Sequence, residues 1–335
     1  MTRLAVFGAG RWGRTVARSL AAMPGVVVAC VVDPSGEARA CAAALGLAVA
    51  EAPSAVLADP TVEGLVVATP PSSHAAVAVD GLMAGKHVLV EKPLAMSVDE
   101  CRRIEDAARS SGRTVLVGHL MLYHPAMAKL RELCLGGALG RVRYLYATRV
   151  NLGTIRATEN AWWSLAPHDL SMMLDLLGGL PDSVALRGAA YVRPGIEDVV
   201  FAHLSFPQGV LAALHVSWLD PHKRRQLTVV GEERMVTFDD MEPSDKVRIF
   251  DVEGGPRTDF ASFAELVALR QGDIAIPRLE PIEPLQAELS HFVAVVRGAA
   301  APRSGLASGR DVVRVLEAGQ RSLARGGAAV ALTEG

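Results

Sequence analysis

Cysteine is scarce. The chain has four in 335 residues, Cys30, Cys41, Cys101 and Cys134, with no CxxC. That pattern excludes a disulfide framework and a zinc knuckle and points to a reducing, cytoplasmic compartment. Charge of one sign is lacking too. The 34 Lys and Arg nearly balance the 36 Asp and Glu, which excludes a nucleic-acid binder relying on counterion release. No apolar run reaches the ~18–20 residues of a membrane span. No signal peptide is expected, because Arg3 is followed at once by the strand-like Leu4-Ala5-Val6-Phe7. The nine histidines contain no HExxH or similar cluster, so no metal is expected. What is present is ordinary globular composition, 50% hydrophobic and 21% charged. The length exceeds the ~250–300 residues at which single cores stop growing, so two domains are expected.

The first part of the chain alternates short apolar runs with amphipathic stretches. Leu4–Phe7, Val26–Val32, Leu65–Ala68, Val88–Val90 and Thr114–Val117 are β-branched and too short for helices. Helices are expected over Arg14–Met23, Ser73–Ala84 and Val98–Ser110, the last opened by a Ser97/Glu100 capping box and stopped before Gly112. This alternation predicts a parallel sheet covered on both faces. After Gly118 the pattern gives a helix from about Pro125 to Leu135, a long strand over Arg141–Val150 and a helix over Pro167–Leu177. Strands near Ser183–Val192, Val199–Phe206, Val210–Leu219, Gln226–Val230 and Met235–Phe238 are separated by turn residues. Such tight connections suggest an antiparallel sheet. Helices Pro284–Arg297 and Arg310–Ala324 close the chain. The expected organisation is an α/β dinucleotide domain over residues 1–120 and an α+β domain over residues 121–335, with a Pro/Gly-rich excursion at about 254–281.

Gly8-Ala9-Gly10-Arg11-Trp12-Gly13 is a GxGxxG between a strand and an amphipathic helix. Gly8 permits the turn, Gly10 lets a pyrophosphate approach the backbone, and Gly13 allows close helix–strand packing. The helix start offers free N–H groups and a positive dipole end. Asp33 ends the second strand twenty residues after Gly13. An acid there hydrogen-bonds a ribose 2′-OH and repels a 2′-phosphate, so NAD is favoured over NADP. Thr69-Pro70-Pro71-Ser72-Ser73-His74 is a rigid loop at a carboxyl edge, read equally as ligand-binding or as a stiff connector.

Glu91-Lys92-Pro93 follows another strand. The proline keeps Lys92 out of α conformation and projects it from the crevice. Beside a nicotinamide such a lysine passes a proton to or from a hydroxyl; in isolation it reads as a surface lysine. His168 follows Pro167, expected at the first helical position, where the helix start disfavours imidazolium. Asp169 orients it or caps the helix. Trp162 and Trp163 either stack on a sugar ring or belong to the core, and Arg149 and Arg156 either meet substrate anions or are solvated. His203 and His215 read as half-buried sheet residues, and His222-Lys223-Arg224-Arg225 as a solvated turn.

In this order the motifs GAGRWG, Asp33, TPPSSH, EKP, VGH (117–119), Tyr123-His124-Pro125-Ala126 and APHD (166–169) resemble the Gfo/Idh/MocA oxidoreductases. The likeness continues through His215–Lys223 and is greatest toward bacterial nucleotide-sugar dehydrogenases such as UDP-N-acetylglucosamine 3-dehydrogenase. It implies a large open second-domain sheet that mediates homodimers or homotetramers. It implies a cis Lys92–Pro93 bond, with Lys92 and His168 sharing proton transfer. Gly8, Gly10, Arg11, Trp12, Gly13, Asp33, Thr69, Pro70, His74, Glu91 and Lys92 become the cofactor-side candidates. Tyr123, Asn151, Trp162, Trp163, Ser164 and His168 become the substrate-side candidates.

Two departures stand out. Inositol-dehydrogenase-like members carry an Asp where this chain has Ser164, four residues before His168. Many members have an Arg before the aromatic in a segment that here reads Leu122-Tyr123-His124. The expected activity is hydride transfer between nicotinamide and a ring secondary alcohol or ketone of a nucleotide-linked amino sugar. The alternatives are a cyclitol or antibiotic sugar as substrate, or a non-catalytic NAD-binding regulator.

Overall fold

In the computed structural model, which describes residues 1–251 and 272–332, six apolar runs near the start form one parallel sheet. They are β1 (Thr2–Phe7), β2 (Val26–Val32), β3 (Val49–Ala50), β4 (Gly64–Val67), β5 (His87–Glu91) and β6 (Val115–Gly118). Their order is β3-β2-β1-β4-β5-β6. Strands covered on both faces need apolar residues throughout, which is why β4 (GLVV) lacks polar alternation. The order reverses between β1 and β4, and ligands of open α/β sheets bind at such a switch point. Helices α1 (Arg11–Ala21), α4 (His74–Met83) and α5 (Val98–Ser111) match expected elements within a few residues. The short α2 (Gly36–Ala43), α3 (Ser54–Ala58) and β3 lie outside the expectations.

The chain divides into two compact units, residues Met1–His124 with Ile282–Arg314 and residues Pro125–Pro281 with Val315–Gly335. The return of 282–314 to the first unit differs from a single cut at 120/121. The physical reason is the helix Pro284–Val296. Its Leu285, Leu289 and Phe292 are buried in one cluster with Leu4, Val6, Leu89 and Leu116.

In the second unit the described residues form a nine-stranded sheet, β14-β13-β12-β11-β7-β10-β9-β8-β15. Its strands are β7 (Val142–Leu152), β8 (Ser183–Ala189), β9 (Val199–Ser205), β10 (Leu211–Ser217), β11 (Leu219–Gly231), β12 (Arg234–Asp239), β13 (Val247–Asp251), β14 (Ile274–Ala275) and β15 (Val330–Ala331). All pairings are antiparallel except β7 with β10. Period-two alternation puts Leu145 and Ala147 of β7 inside and Tyr144 and Tyr146 outside. Helices α6 (Pro125–Leu135) and α7 (Ala161–Leu177) belong to this unit, and α7 packs on β7, β9 and β10. Of the 254–281 excursion, residues 254–271 lie outside the described residues. Among the described residues no helix is long and apolar enough to cross a membrane.

Candidate functional site

The glycine turn is built as its spacing predicts. Gly8 has φ +103°, and a Cβ there would meet Ala68 O at 2.4 Å. A Cβ on Gly13 would lie 1.9 Å from Gly8 O, so helix and strand approach closely only because the side chain is missing. A Cβ on Gly10 would meet nothing within 4 Å. Gly10 caps α1 without a side-chain hydrogen bond, and the first turn holds no acid. The helix start is thus open toward an anion. Arg11 and Trp12 are exposed in that first turn. Asp33 holds the turn from the side: Oδ2 accepts from Ala9 N at 2.7 Å and Oδ1 from Ser35 N at 2.8 Å. A carboxylate has about four acceptor sites, so both oxygens retain capacity for ribose hydroxyls. Arg39 commits its guanidinium to the carbonyls of Asp33 and Pro34 and to Glu51, not to a 2′-phosphate site. These residues fit a dinucleotide without a 2′-phosphate.

Two loops at neighbouring carboxyl edges are tied together by His74. Its Nδ1 lies 2.8 Å from Pro93 O and its Nε2 2.9 Å from Thr69 O. The ring is buried, and burial pushes its pKa down. Direct cofactor contact was expected of His74; both its nitrogens instead serve the loops. Thr69 is half-buried and Pro70 exposed, with Thr69 Oγ1 accepting from Ser73 Oγ at 2.8 Å. The Lys92–Pro93 bond is cis, and Lys92 is half-buried. Glu91 is buried. Its Oε1 accepts from Trp12 Nε1 at 2.5 Å and its Oε2 from Lys92 N at 3.3 Å. Gly118 of β6 faces Glu91, and a Cβ there would lie 3.0 Å from Oε2.

Tyr123 was expected to touch substrate, but it is 8% exposed and engaged internally. Its hydroxyl pairs with Ser304 Oγ at 3.2 Å, and Ser304 Oγ donates to Val117 O at 2.7 Å. With the serine proton committed to Val117, the phenol is the donor. Burial pushes the phenol up to about 12.

In the second unit, α7 starts earlier than expected. Asn160 is its N-cap, accepting from Trp163 N at 3.1 Å, and Pro167 lies inside the helix. His168 is therefore in the middle of α7, and the dipole argument for a neutral first-turn imidazole does not apply to it. Pro167 has no N–H for the carbonyl of Trp163, one turn back. Trp162 is fully buried and donates from Nε1 to Leu316 O at 3.0 Å; Trp163 is buried and donates to Gln320 Oε1 at 3.2 Å. Both are core residues, not an exposed stacking surface. Ser164 is buried one turn from His168, which is half-buried, and Asn151 is half-buried near the end of β7.

Asp169 is engaged by Arg149. It accepts Nε at 2.5 Å and Nη2 at 3.1 Å, both side chains being buried. That pair also removes Arg149 from the substrate-contact alternatives. Arg156 pairs with Glu159 at 2.9 Å. His203 and His215 do not meet: His215 stacks on Phe201 at 4.3 Å. Among the described residues no group of His, Cys, Asp or Glu is arranged to hold a metal. Sequence reasoning missed Glu288, a buried carboxyl on the Leu285/Leu289/Phe292 stripe. A charge on an apolar helix stripe was the available signal.

A parallel switch-point sheet, a glycine turn fastened by Asp33 and the Lys92-Pro93 step at the carboxyl end of β5 define a dinucleotide-dependent oxidoreductase. The chain belongs to the Gfo/Idh/MocA family. The profile described as "Oxidoreductase family, NAD-binding Rossmann fold" matches residues 2–119, and the family's C-terminal-domain profile matches residues 127–237. UDP-N-acetylglucosamine 3-dehydrogenase of Acidithiobacillus ferrooxidans is 31% identical over 240 residues, 71% of this chain and 74% of that protein. The NAD-dependent scyllo-inositol 2-dehydrogenase of Bacillus subtilis is 28% identical over 69% of this chain and 72% of its own length. The solved structure of GenD2 from gentamicin A biosynthesis, in complex with NAD, superposes with a TM-score of 0.84 at 26% identity, covering 99% of this chain and 97% of that one. The chain is thus an NAD-binding oxidoreductase of a sugar and cyclitol dehydrogenase family.

Proposed function

We propose that this enzyme interconverts a ring secondary alcohol and the matching ketone of a sugar, the sugar being a nucleotide-linked amino sugar. When bound, the nicotinamide accepts the hydride of the carbinol or returns it. The Asp33 carboxylate and the α1 N-terminus hold the ribose and pyrophosphate. Lys92 Nζ takes the hydroxyl proton during oxidation and returns it during reduction, and His168 shares that proton transfer. Ser164 has no charge to raise the basicity of His168, which shifts the larger part of the task to Lys92. The observation that carries this reading is the half-buried Lys92 on a loop braced from two sides, by His74 to Pro93 and by Glu91 to Trp12. Positioned acid–base catalysis contributes ~10²–10⁴-fold.

The amino-sugar assignment draws on the relative that acts on UDP-N-acetylglucosamine. The inositol relative and the gentamicin-pathway structure favour a cyclitol or antibiotic sugar as the second reading. NADH formation against nucleotide-linked amino sugars, inositols and aminoglycoside precursors separates the two. Turnover of inositols alone would reject the nucleotide-linked substrate.

The exposed face of the second-unit sheet carries Tyr144, Tyr146, Phe201 and Leu211. We assign this face to a homodimer or homotetramer contact, tested by sedimentation of Tyr146→Asp, for which dissociation is expected.

A further inference from the structure

Glu288 has no use in the reaction as described, yet it is 1% exposed. It lies on the helix Pro284–Val296 among Leu285, Leu289 and Phe292. Neither of its carboxyl oxygens has a hydrogen-bond partner. An ionised carboxylate there lacks everything that makes a buried charge tolerable. Among the described residues, the charged groups acting on it are Glu91, from the end of β5, and Glu283, which caps its own helix, both anionic. The turn Leu120–Tyr123, packed on this helix, contributes Tyr123, a neutral phenol. His119 at the end of β6 is buried, and burial with the Lys92 charge pushes its imidazole down to about 4.

Glu91 is served differently. Burial pushes both carboxyls up, but at Glu91 the Trp12 indole N–H, the Lys92 charge and the Lys92 backbone N–H oppose it. Leu89 of β5, two residues before Glu91, packs in one cluster with Leu285, Leu289 and Phe292 of the helix that carries Glu288. Of two buried like charges on packed elements, one keeps a proton, and it resides on the carboxyl without donors. We propose that Glu288 holds this proton in the folded protein, leaving Glu91 as the anion that positions both Trp12 and Lys92. Glu91 is then a positioning residue that links the glycine turn to the EKP segment. The part concerning Lys92 rests on the reading of the reaction given above; the part concerning the proton does not.

Infrared spectra of the full-length protein at neutral pH read the protonated carboxyl through its C=O band. The band is expected in the wild type, lost in Glu288→Gln and kept in Glu91→Gln. No band in the wild type, or a band surviving Glu288→Gln, overturns the proposal. If Glu288→Gln does not fold, carbon-13 spectra of glutamate-labelled wild-type protein decide the matter. One carboxyl with the shift of a neutral acid is expected, and its absence refutes the assignment.

The pH–rate profile tests the positioning. Glu91→Gln keeps an acceptor for Trp12 but removes the anion beside Lys92, so the limb reporting the lysine moves to lower pH. An unmoved limb overturns the coupling to Lys92 even when the infrared result holds. Absence of turnover with every sugar instead refutes the proposed reaction and leaves the infrared result to decide on Glu288.

Discussion

Breaking the Arg149–Asp169 pair tests how the second unit is held together. The two side chains are 6% and 1% exposed and joined by two hydrogen bonds. Removing one partner strands the other charge in the core, which costs about 3–5 kcal/mol. Replacing both with apolar residues of similar volume removes the desolvation penalty along with the attraction, and the change is near zero or stabilising. Arg149→Met and Asp169→Leu should each lower the unfolding free energy by about 3–5 kcal/mol, while the double variant should return to within about 1 kcal/mol of wild type. Urea unfolding followed by tryptophan fluorescence reads this, because Trp162, Trp163 and Trp218 all lie in the second unit. Single variants losing under about 1 kcal/mol, or a double variant losing the sum of the two, would contradict a buried, mutually compensating pair.

Gly10→Ala adds a methyl where no atom lies within 4 Å, so the melting temperature should hold while calorimetric NAD affinity falls. Gly13→Ala places the methyl 1.9 Å from Gly8 O, and melting temperature and NAD affinity should fall together. His119 is neutral when buried, its pKa depressed from 6.5 to about 4. Its stabilising contribution is complete above pH 6.5 and is lost as pH falls toward about 4, up to about 3 kcal/mol in total. Urea midpoints of wild type and His119→Asn compared across that range should converge on acidification; parallel curves would contradict the assignment.

The Rossmann half was legible because its strands are fully apolar and its turn needs glycines for steric reasons that spacing alone conveys. The boundary of α7 was not. Pro167 reads as the first helical residue, but Asn160 with its bonds to Trp163, Glu197 and Gln320 caps a helix that starts at Ala161, six residues earlier. That relocation moved His168 to mid-helix and turned both tryptophans into core. Arg149 reads as either a substrate-anion contact or a solvated charge because its carboxylate partner is 20 residues away in sequence, on a different element. The register of β11 was hidden by an irregularity between Leu219 and Arg224. Glu288 escaped notice because a charged residue at one position of an apolar stripe resembles a stripe edge until its burial is known.

The proposed reaction requires Lys92 to carry the proton for a hydride transfer. Steady-state kinetics of Lys92→Ala, paired with NAD binding by calorimetry, test it directly. Turnover should fall by ~10²–10⁴-fold with NAD affinity nearly intact; wild-type rates in that variant would contradict it.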